Sequence, residues 1–84
     1  MNMGKNRLLR AIKNSLKLDE LPFIVDTMET IEKWDSLSHL NLIMDLEKEF
    51  GIRFPMNKIP DLNSVEAIVK ELEKELDGRS QEAL

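Results

Sequence analysis

The sequence predicts an all-α protein, a small bundle of three main helices plus one short helix. Three segments carry apolar residues at spacings of three and four, which place those residues on one face of a helix. Between the second and third segments, Pro55 and Pro60 leave room for one short helical turn at most. A long loop without periodicity separates the first two segments. This pattern favours helices that pack through their apolar faces.

The first helix is expected over about residues 5–16. Its apolar positions, which recur at helical spacing, are Leu8, Leu9, Ile12 and Leu16. The basic residues Lys5, Arg7, Arg10 and Lys13 point away from this stripe and form a solvated face. A membrane-surface contact is the alternative interpretation of these charges, but the apolar stripe is needed inside the bundle.

The loop between the first two helices covers residues 18–35. Pro22 biases Leu21 away from helical dihedral angles, and Asp26 and Thr30 offer local side-chain acceptors. A loop this long is uncommon unless it is functional or held by its own side chains. The apolar residues expected to hold it across the bundle are Leu21, Phe23, Ile24, Val25 and Ile31.

The second helix is the most strongly periodic segment, and Asp35-Ser36-Leu37 opens it. At about 100° per residue, the side assigned to the core carries His39, Leu42, Ile43, Leu46 and Phe50. Gly51 is expected to end the helix. Ser36 thus stands at the helix N-terminus, where N–H groups and the macrodipole favour a covalently attached phosphate.

The opposite side of the second helix carries Leu37, Leu40 and Met44. Scattered surface leucines are normal, so these residues alone do not require a partner. Three apolar residues on one short face beside Ser36 nevertheless favour a docking surface.

The last helix is expected to begin at Asn63 or Ser64, because Asn63 and Glu66 have the spacing of a capping box. Its apolar face carries Val65, Ile68, Val69, Leu72 and Leu76, and Gly78 marks its end. We therefore expect one domain over residues 1–84, structured over about residues 5–77, with a frayed tail at 79–84.

Composition narrows the classes of function. A chain of 84 residues with a net charge of −4 and a pI near 5.0 lacks the basic surface of a nucleic-acid binder. The absence of cysteine excludes disulfides, thiolate catalysis and cysteine-ligated zinc, so any thiol must come from a cofactor. No stretch has the length and apolarity of a membrane span, and a cytoplasmic monomer is expected.

The segment around the second helix resembles the phosphopantetheine-attachment segment of acyl carrier proteins. The positions that match the family pattern are Asp35, Ser36, Leu37, Leu40, Leu42, Ile43, Leu46, Glu47 and Phe50, with Trp34 directly before them. The resemblance continues over nearly the whole chain. It implies a small acyl-carrier-like bundle with a long loop between helices one and two.

This resemblance implies that the phosphopantetheine group of coenzyme A is attached to Ser36, flanked by Asp35 and Leu37. An acyl or aminoacyl intermediate would then be held as a thioester, and the protein itself would catalyse nothing. The implied partners are a phosphopantetheinyl transferase, a loading enzyme and downstream biosynthetic enzymes. The residues expected to dock them are Leu37, Leu40, Asn41, Met44, Asp45, Glu47 and Lys48.

The family also suggests that the core opens to admit an apolar cargo. The candidate lining residues are Leu42, Ile43, Leu46, Phe50, Ile59 and Ile68. Ordinary core packing explains the same positions and is the preferred interpretation, since helical spacing alone yields this set.

The sequence departs from the carriers of fatty-acid synthesis, whose second helix has a dense acidic face. Ser38, Asn41 and Lys48 stand where acids are expected. Steering by a basic partner is then weaker, which favours a carrier in a specialised biosynthetic pathway. The alternatives are a general fatty-acid carrier and an unmodified interaction adaptor with the same fold.

His39 and Ser36 lie close in sequence but do not form a hydrolase motif. No Gly-x-Ser-x-Gly elbow is present, and Asp35 sits beside the serine, whereas a catalytic acid would have to orient the histidine. His39 is expected to pack near the attachment point, with contact to the arm as the alternative. One histidine and no cysteine leave only carboxylates for a metal, and no metal site is expected.

Overall fold

The computed structural model describes residues 3–82 of the chain, with side chains described over residues 6–76. Three α-helices are present in this part: α1 (Met3–Leu16), α2 (Ser36–Phe50) and α3 (Val65–Glu82). A 3₁₀ helix, Met56–Asp61, lies between α2 and α3. The predicted all-α fold and its order of elements are confirmed.

One apolar core joins the three helices. The buried side chains that form it are Leu8, Ile12, Leu16, Ile31, Trp34, Leu42, Ile43, Leu46, Ile52, Phe54, Leu62, Val65, Ile68 and Leu72. The assigned faces of α2 are confirmed, because Leu42 and Leu46 are fully buried whereas Leu37 and Met44 are exposed. Phe50 is only half-buried, and the Arg7 guanidinium of α1 lies 4.8 Å from its ring centroid.

The helix ends follow local backbone chemistry. Gly51 ends α2 in the left-handed conformation, with φ of 64° and ψ of 39°, as expected for a glycine at this position. At α3, the capping residue is Ser64 and not Asn63, because the Ala67 N–H donates to the Ser64 hydroxyl at 3.1 Å. Asn63 instead offers its backbone oxygen to the Met28 N–H at 3.0 Å.

The prediction that α3 ends at Gly78 is wrong, because the helix continues to Glu82. A single glycine lowers helix stability by about 1 kcal/mol relative to alanine but does not end a helix when non-proline residues follow. The frayed tail expected at 79–84 stays a prediction, and residues 83–84 lie outside the described residues.

The 3₁₀ helix is longer than the single turn expected, and it contains Pro60. Proline is tolerated here because the hydrogen bonds of this segment use other donors. The Lys58 N–H donates to the Pro55 carbonyl at 2.9 Å, and the Leu62 N–H donates to the Ile59 carbonyl at 3.1 Å. Neither bond requires the N–H that proline lacks.

The loop before α2 is held in part as the sequence predicts. Ile31 is buried as expected and Ile24 is partly buried against the core, whereas Leu21, Phe23 and Val25 are exposed and do not hold the loop. Trp34 is buried as well. Backbone hydrogen bonds also tie the loop to the start of α3: besides the bond from Met28 to Asn63, the Val65 N–H donates to the Asp26 carbonyl at 3.0 Å. The end of this loop is thereby fixed where α2 begins.

Candidate functional site

Ser36 is the first residue of α2, and its side chain is exposed. Its hydroxyl makes no hydrogen bond with the part of the chain that the structure describes. Leu37 beside it is 75% exposed. A hydroxyl in this position is accessible to an enzyme that approaches the start of the helix.

Asp35 and Ser38 cap the start of α2 reciprocally. The Ser38 N–H donates to Asp35 Oδ1 at 2.9 Å, and the Asp35 N–H donates to the Ser38 hydroxyl oxygen at the same distance. The Ser38 hydroxyl in turn donates to the Lys33 carbonyl at 2.7 Å. These bonds hold the backbone on both sides of Ser36.

The sequence reasoning missed this role of Ser38, which was considered only as a position where an acid was expected. The sequence feature that could have indicated it is an acidic N-cap residue followed by a hydroxyl residue three positions later, which is a variant of the capping box. The bonds from the Ser38 backbone and side chain lower the pKa of the Asp35 carboxyl below its ordinary value. Asp35 is therefore ionised at neutral pH.

The same capping modifies the expected role of the helix terminus. The carboxylate of Asp35 already accepts the Ser38 N–H, so that donor is not directed at a phosphate on Ser36. The macrodipole still favours negative charge at this end of α2. The exposed hydroxyl and the helix dipole are the features of this site that fit a covalently attached phosphodiester.

Trp34 and His39 form a buried pair beneath the site. The indole Nε1–H of Trp34 donates to Nδ1 of His39 at 2.9 Å, and Nε2 of His39 lies 2.9 Å from the Ile59 carbonyl oxygen. Because an indole nitrogen only donates, Nδ1 must be the acceptor and Nε2 carries the proton. Both ring nitrogens of His39 are thus used inside the fold, as suits a packing residue better than a base for Ser36.

The predicted docking residues divide into three groups in the structure. Leu37, Leu40, Asn41, Met44 and Lys48 are exposed along one side of α2, which we call the outer face. Asp45 points towards α1, where the Ser15 hydroxyl donates to its Oδ2 at 2.6 Å. Glu47 is half-buried, and its Oε2 accepts the Phe54 N–H at 2.9 Å.

The acids of α2 and its N-cap, Asp35, each have a hydrogen-bond partner within the protein. Besides Asp35, Asp45 and Glu47, the carboxylate of Glu49 accepts the Nε–H of Arg7 at 2.8 Å. The outer face itself carries Lys48 as its charged residue. This face is therefore apolar at its centre and not acidic.

The residues considered for a cargo pocket lie mostly in the closed core. Leu42, Leu46 and Ile68 are 0% exposed and Ile43 is 2% exposed, whereas Phe50 and Ile59 are half-buried. The structure brings these side chains into one apolar cluster. Their burial fits ordinary packing, and lining a cargo pocket stays a prediction.

Among the described residues, no group of three or more histidine or acidic side chains is arranged to hold a metal ion. Within the same part of the chain, no helix combines the length and apolarity that crossing a membrane requires.

Comparisons with known proteins connect this site to a family. The sequence model described as a phosphopantetheine attachment site matches residues 33–72. The structure is similar to that of a holo acyl carrier protein from Geobacter metallireducens solved by solution NMR, with a TM-score of 0.83 and 26% sequence identity. That similarity covers 96% of this chain and 93% of the other. A comparison with curated protein sequences gave no match.

The matched segment contains Ser36 and the whole of α2, and the structural similarity extends over all the elements described above. Together they indicate covalently bound phosphopantetheine as the cofactor. Carrier domains of this kind are not themselves catalytic. The chain thus contains a segment that matches the phosphopantetheine attachment site, and its fold closely matches that of an acyl carrier protein.

Proposed function

We propose that Ser36 bears the phosphopantetheine arm and that the protein presents an acyl or aminoacyl thioester to enzymes of a specialised biosynthetic pathway. The observation that carries this proposal is the exposed Ser36 hydroxyl at the start of α2, inside the matched segment. Its lack of a hydrogen bond to the described residues leaves the hydroxyl oxygen accessible to a transferase.

The attachment reaction is a phosphoryl-group transfer. The Ser36 oxygen forms a bond to the phosphorus that carries pantetheine, and the bond from that phosphorus to the bridging pyrophosphate oxygen breaks. Adenosine bisphosphate leaves, and the serine proton is released. The chain contains no cysteine, so the thiol that holds the cargo comes from the arm.

The residues around Ser36 hold and orient the attachment point. The reciprocal cap between Asp35 and Ser38 fixes the first turn of α2, and the buried Trp34 fixes the preceding loop. The tether would keep the cargo near each docked enzyme at an effective concentration that reaches the millimolar range for short arms.

Partner enzymes would dock on the outer face of α2. Leu37, Leu40 and Met44 are 75%, 55% and 60% exposed, which is a large apolar area for one helix face. Asp45 and Glu49 are held by partners on α1, and the charged residue of the outer face is Lys48, so this face offers no acidic charge of its own to a basic enzyme surface. This supports a dedicated partner that recognises apolar shape over a general fatty-acid carrier.

The test is the intact mass of the protein before and after incubation with coenzyme A and a broad-specificity phosphopantetheinyl transferase. The expected result is one added phosphopantetheine on the wild type and none on Ser36→Ala. Ser38→Ala is the matched control, since it removes the neighbouring hydroxyl and should still be modified. An unmodified but folded wild type would instead favour the adaptor function.

A further inference from the structure

A buried histidine on α2, His39, connects this helix to the 3₁₀ helix close to the attachment point. Ser36 and His39 are three residues apart, so their side chains are neighbours on the helix surface. His39 is bonded to the Ile59 carbonyl of the 3₁₀ helix at 2.9 Å. An alkyl chain that entered the bundle from Ser36 between α2 and the 3₁₀ helix would have to break this hydrogen bond.

The path beyond this bond is closed. Trp34 is 1% exposed and His39 is 6% exposed. The indole of Trp34, which lies in the loop before α2, donates a hydrogen bond to His39. A continuous chain of hydrogen bonds thus joins the loop, α2 and the 3₁₀ helix. We call Trp34, His39 and the Ile59 carbonyl the polar clasp.

Opening the polar clasp breaks hydrogen bonds, whereas the separation of two aliphatic surfaces does not. Separation of the 3₁₀ helix from α2 would leave the Nε2–H of His39 and the Ile59 carbonyl without their partners. An alkyl chain offers no hydrogen bond in exchange, so these groups would remain unsatisfied beside apolar atoms. A polar cargo would in turn gain nothing from the aliphatic interior formed by Leu42, Leu46 and Ile68.

We propose that the polar clasp keeps the cargo outside the bundle, and that the natural cargo is consequently a short or polar acyl or aminoacyl group. This rests on attachment at Ser36, as proposed above. A long alkyl chain held outside would expose its whole apolar surface to water, which is unfavourable. Trp34 and His39 therefore select the class of cargo without touching the reacting thioester.

The test compares cargoes of different length on the wild-type protein. A transferase attaches acetyl-phosphopantetheine or octanoyl-phosphopantetheine from the corresponding acyl-coenzyme A, and the thioester is then cleaved with hydroxylamine. Each rate is divided by that of the free acyl-pantetheine. The normalised rates should agree within about twofold, because both cargoes are in solvent. The proposal would be overturned if the normalised cleavage rate of the octanoyl thioester were lower than that of the acetyl thioester by more than about twofold.

A variant identifies which groups exclude the cargo. Trp34→Leu removes the indole donor and leaves space beside His39, so octanoyl should become several-fold more protected than acetyl. Phe54→Leu, at another buried aromatic that lies outside the polar clasp, should keep the wild-type ratio. An unchanged ratio in folded Trp34→Leu would refute the role of the clasp. If that variant does not fold, the wild-type comparison decides.

Intact mass first shows whether the arm is attached at Ser36. Failure of the attachment proposal can therefore be distinguished from failure of the polar-clasp proposal. If no arm is added, the proposed carrier function at Ser36 is refuted. Whether the polar clasp is closed can still be measured on the unmodified protein. The chain has one tryptophan, so one indole N–H resonance reports on the clasp. Slow exchange of this proton, unaffected by free octanoyl-pantetheine, supports closure. Fast exchange, or a shift on addition of that compound, overturns it.

Discussion

Ser38 and Asp35 exchange hydrogen bonds across the first turn of α2, and Ser36 lies between them with its own hydroxyl unbonded in the described part of the chain. The two serines are therefore distinct in role. Ser38 stabilises the terminus, and Ser36 is exposed.

Ser38→Ala should lower the free energy of unfolding by about 1 kcal/mol, because the Asp35 N–H loses its acceptor and the Lys33 carbonyl loses a donor. The measurement is urea denaturation followed by circular dichroism. Ser36→Ala is the control and should change stability by no more than about 0.5 kcal/mol. Equal losses in both variants would contradict the assigned roles.

The cap should also make stability depend on pH in the acid range. Hydrogen bonds from Ser38 lower the pKa of Asp35 in the folded protein below the ordinary aspartate value of 3.8, which applies to the unfolded chain. The stabilisation is thus present above that value and is lost as the pH falls through the lower, folded pKa.

Asp35→Asn separates this charge from the cap itself, because asparagine also caps helices. In urea denaturation between neutral and acid pH, the wild type should be more stable at neutral pH, and the difference should shrink as the pH falls. A difference that does not vary with pH would show that the ionised carboxylate is not responsible.

Leu46→Ala and Met44→Ala test the two faces of α2. Leu46 is 0% exposed, so its truncation should cost about 2–5 kcal/mol through lost burial and a cavity. Met44 is 60% exposed, and its truncation should change stability by no more than about 0.5 kcal/mol. Thermal denaturation compares the two variants. A large loss at Met44 would contradict the exposed outer face.

Met44→Ala should at the same time slow modification at Ser36, since the proposed docking surface loses apolar area. The measurement is the initial rate of phosphopantetheine transfer at a transferase concentration below saturation. Val25→Ala is a matched control, because Val25 is an exposed apolar residue in the loop and not on α2. Equal slowing by both variants would argue against a specific role for the outer face.

Lys48→Glu tests the charge of the outer face. An added acid should raise the rate of modification by a transferase with a basic docking surface, on the order of tenfold at low ionic strength, and the gain should disappear in high salt. Lys74→Glu changes the net charge equally at an exposed position on α3 and serves as the control. A similar gain in both variants would indicate net charge as the cause.

The sequence predicted the helices and the two faces of α2 because these depend on local spacing. A helix repeats every 3.6 residues, so the positions of Leu42 and Leu46 relative to Leu37 and Met44 follow from the chain alone. Gly51 was equally predictable, since its left-handed conformation costs glycine little. Ser36 was found through a contiguous motif.

Contacts between distant segments were decided only by the tertiary structure. Of the apolar loop residues that the sequence suggested, Ile31 and Ile24 pack on the core, whereas Leu21, Phe23 and Val25 are exposed. Trp34 and backbone hydrogen bonds to the start of α3 also hold the loop. Aliphatic composition cannot reveal which of several apolar loop residues faces the core, because a loop has no fixed repeat to orient its side chains.

The sequence by itself determined the fold class, the attachment segment and the direction in which α2 faces. The tertiary structure decided that Asp45, Glu47 and Glu49 have internal partners and that His39 joins Trp34 to the 3₁₀ helix. The physical reason is that helical periodicity is set by local backbone geometry, whereas a hydrogen bond between separate elements exists only once packing has brought its two groups together.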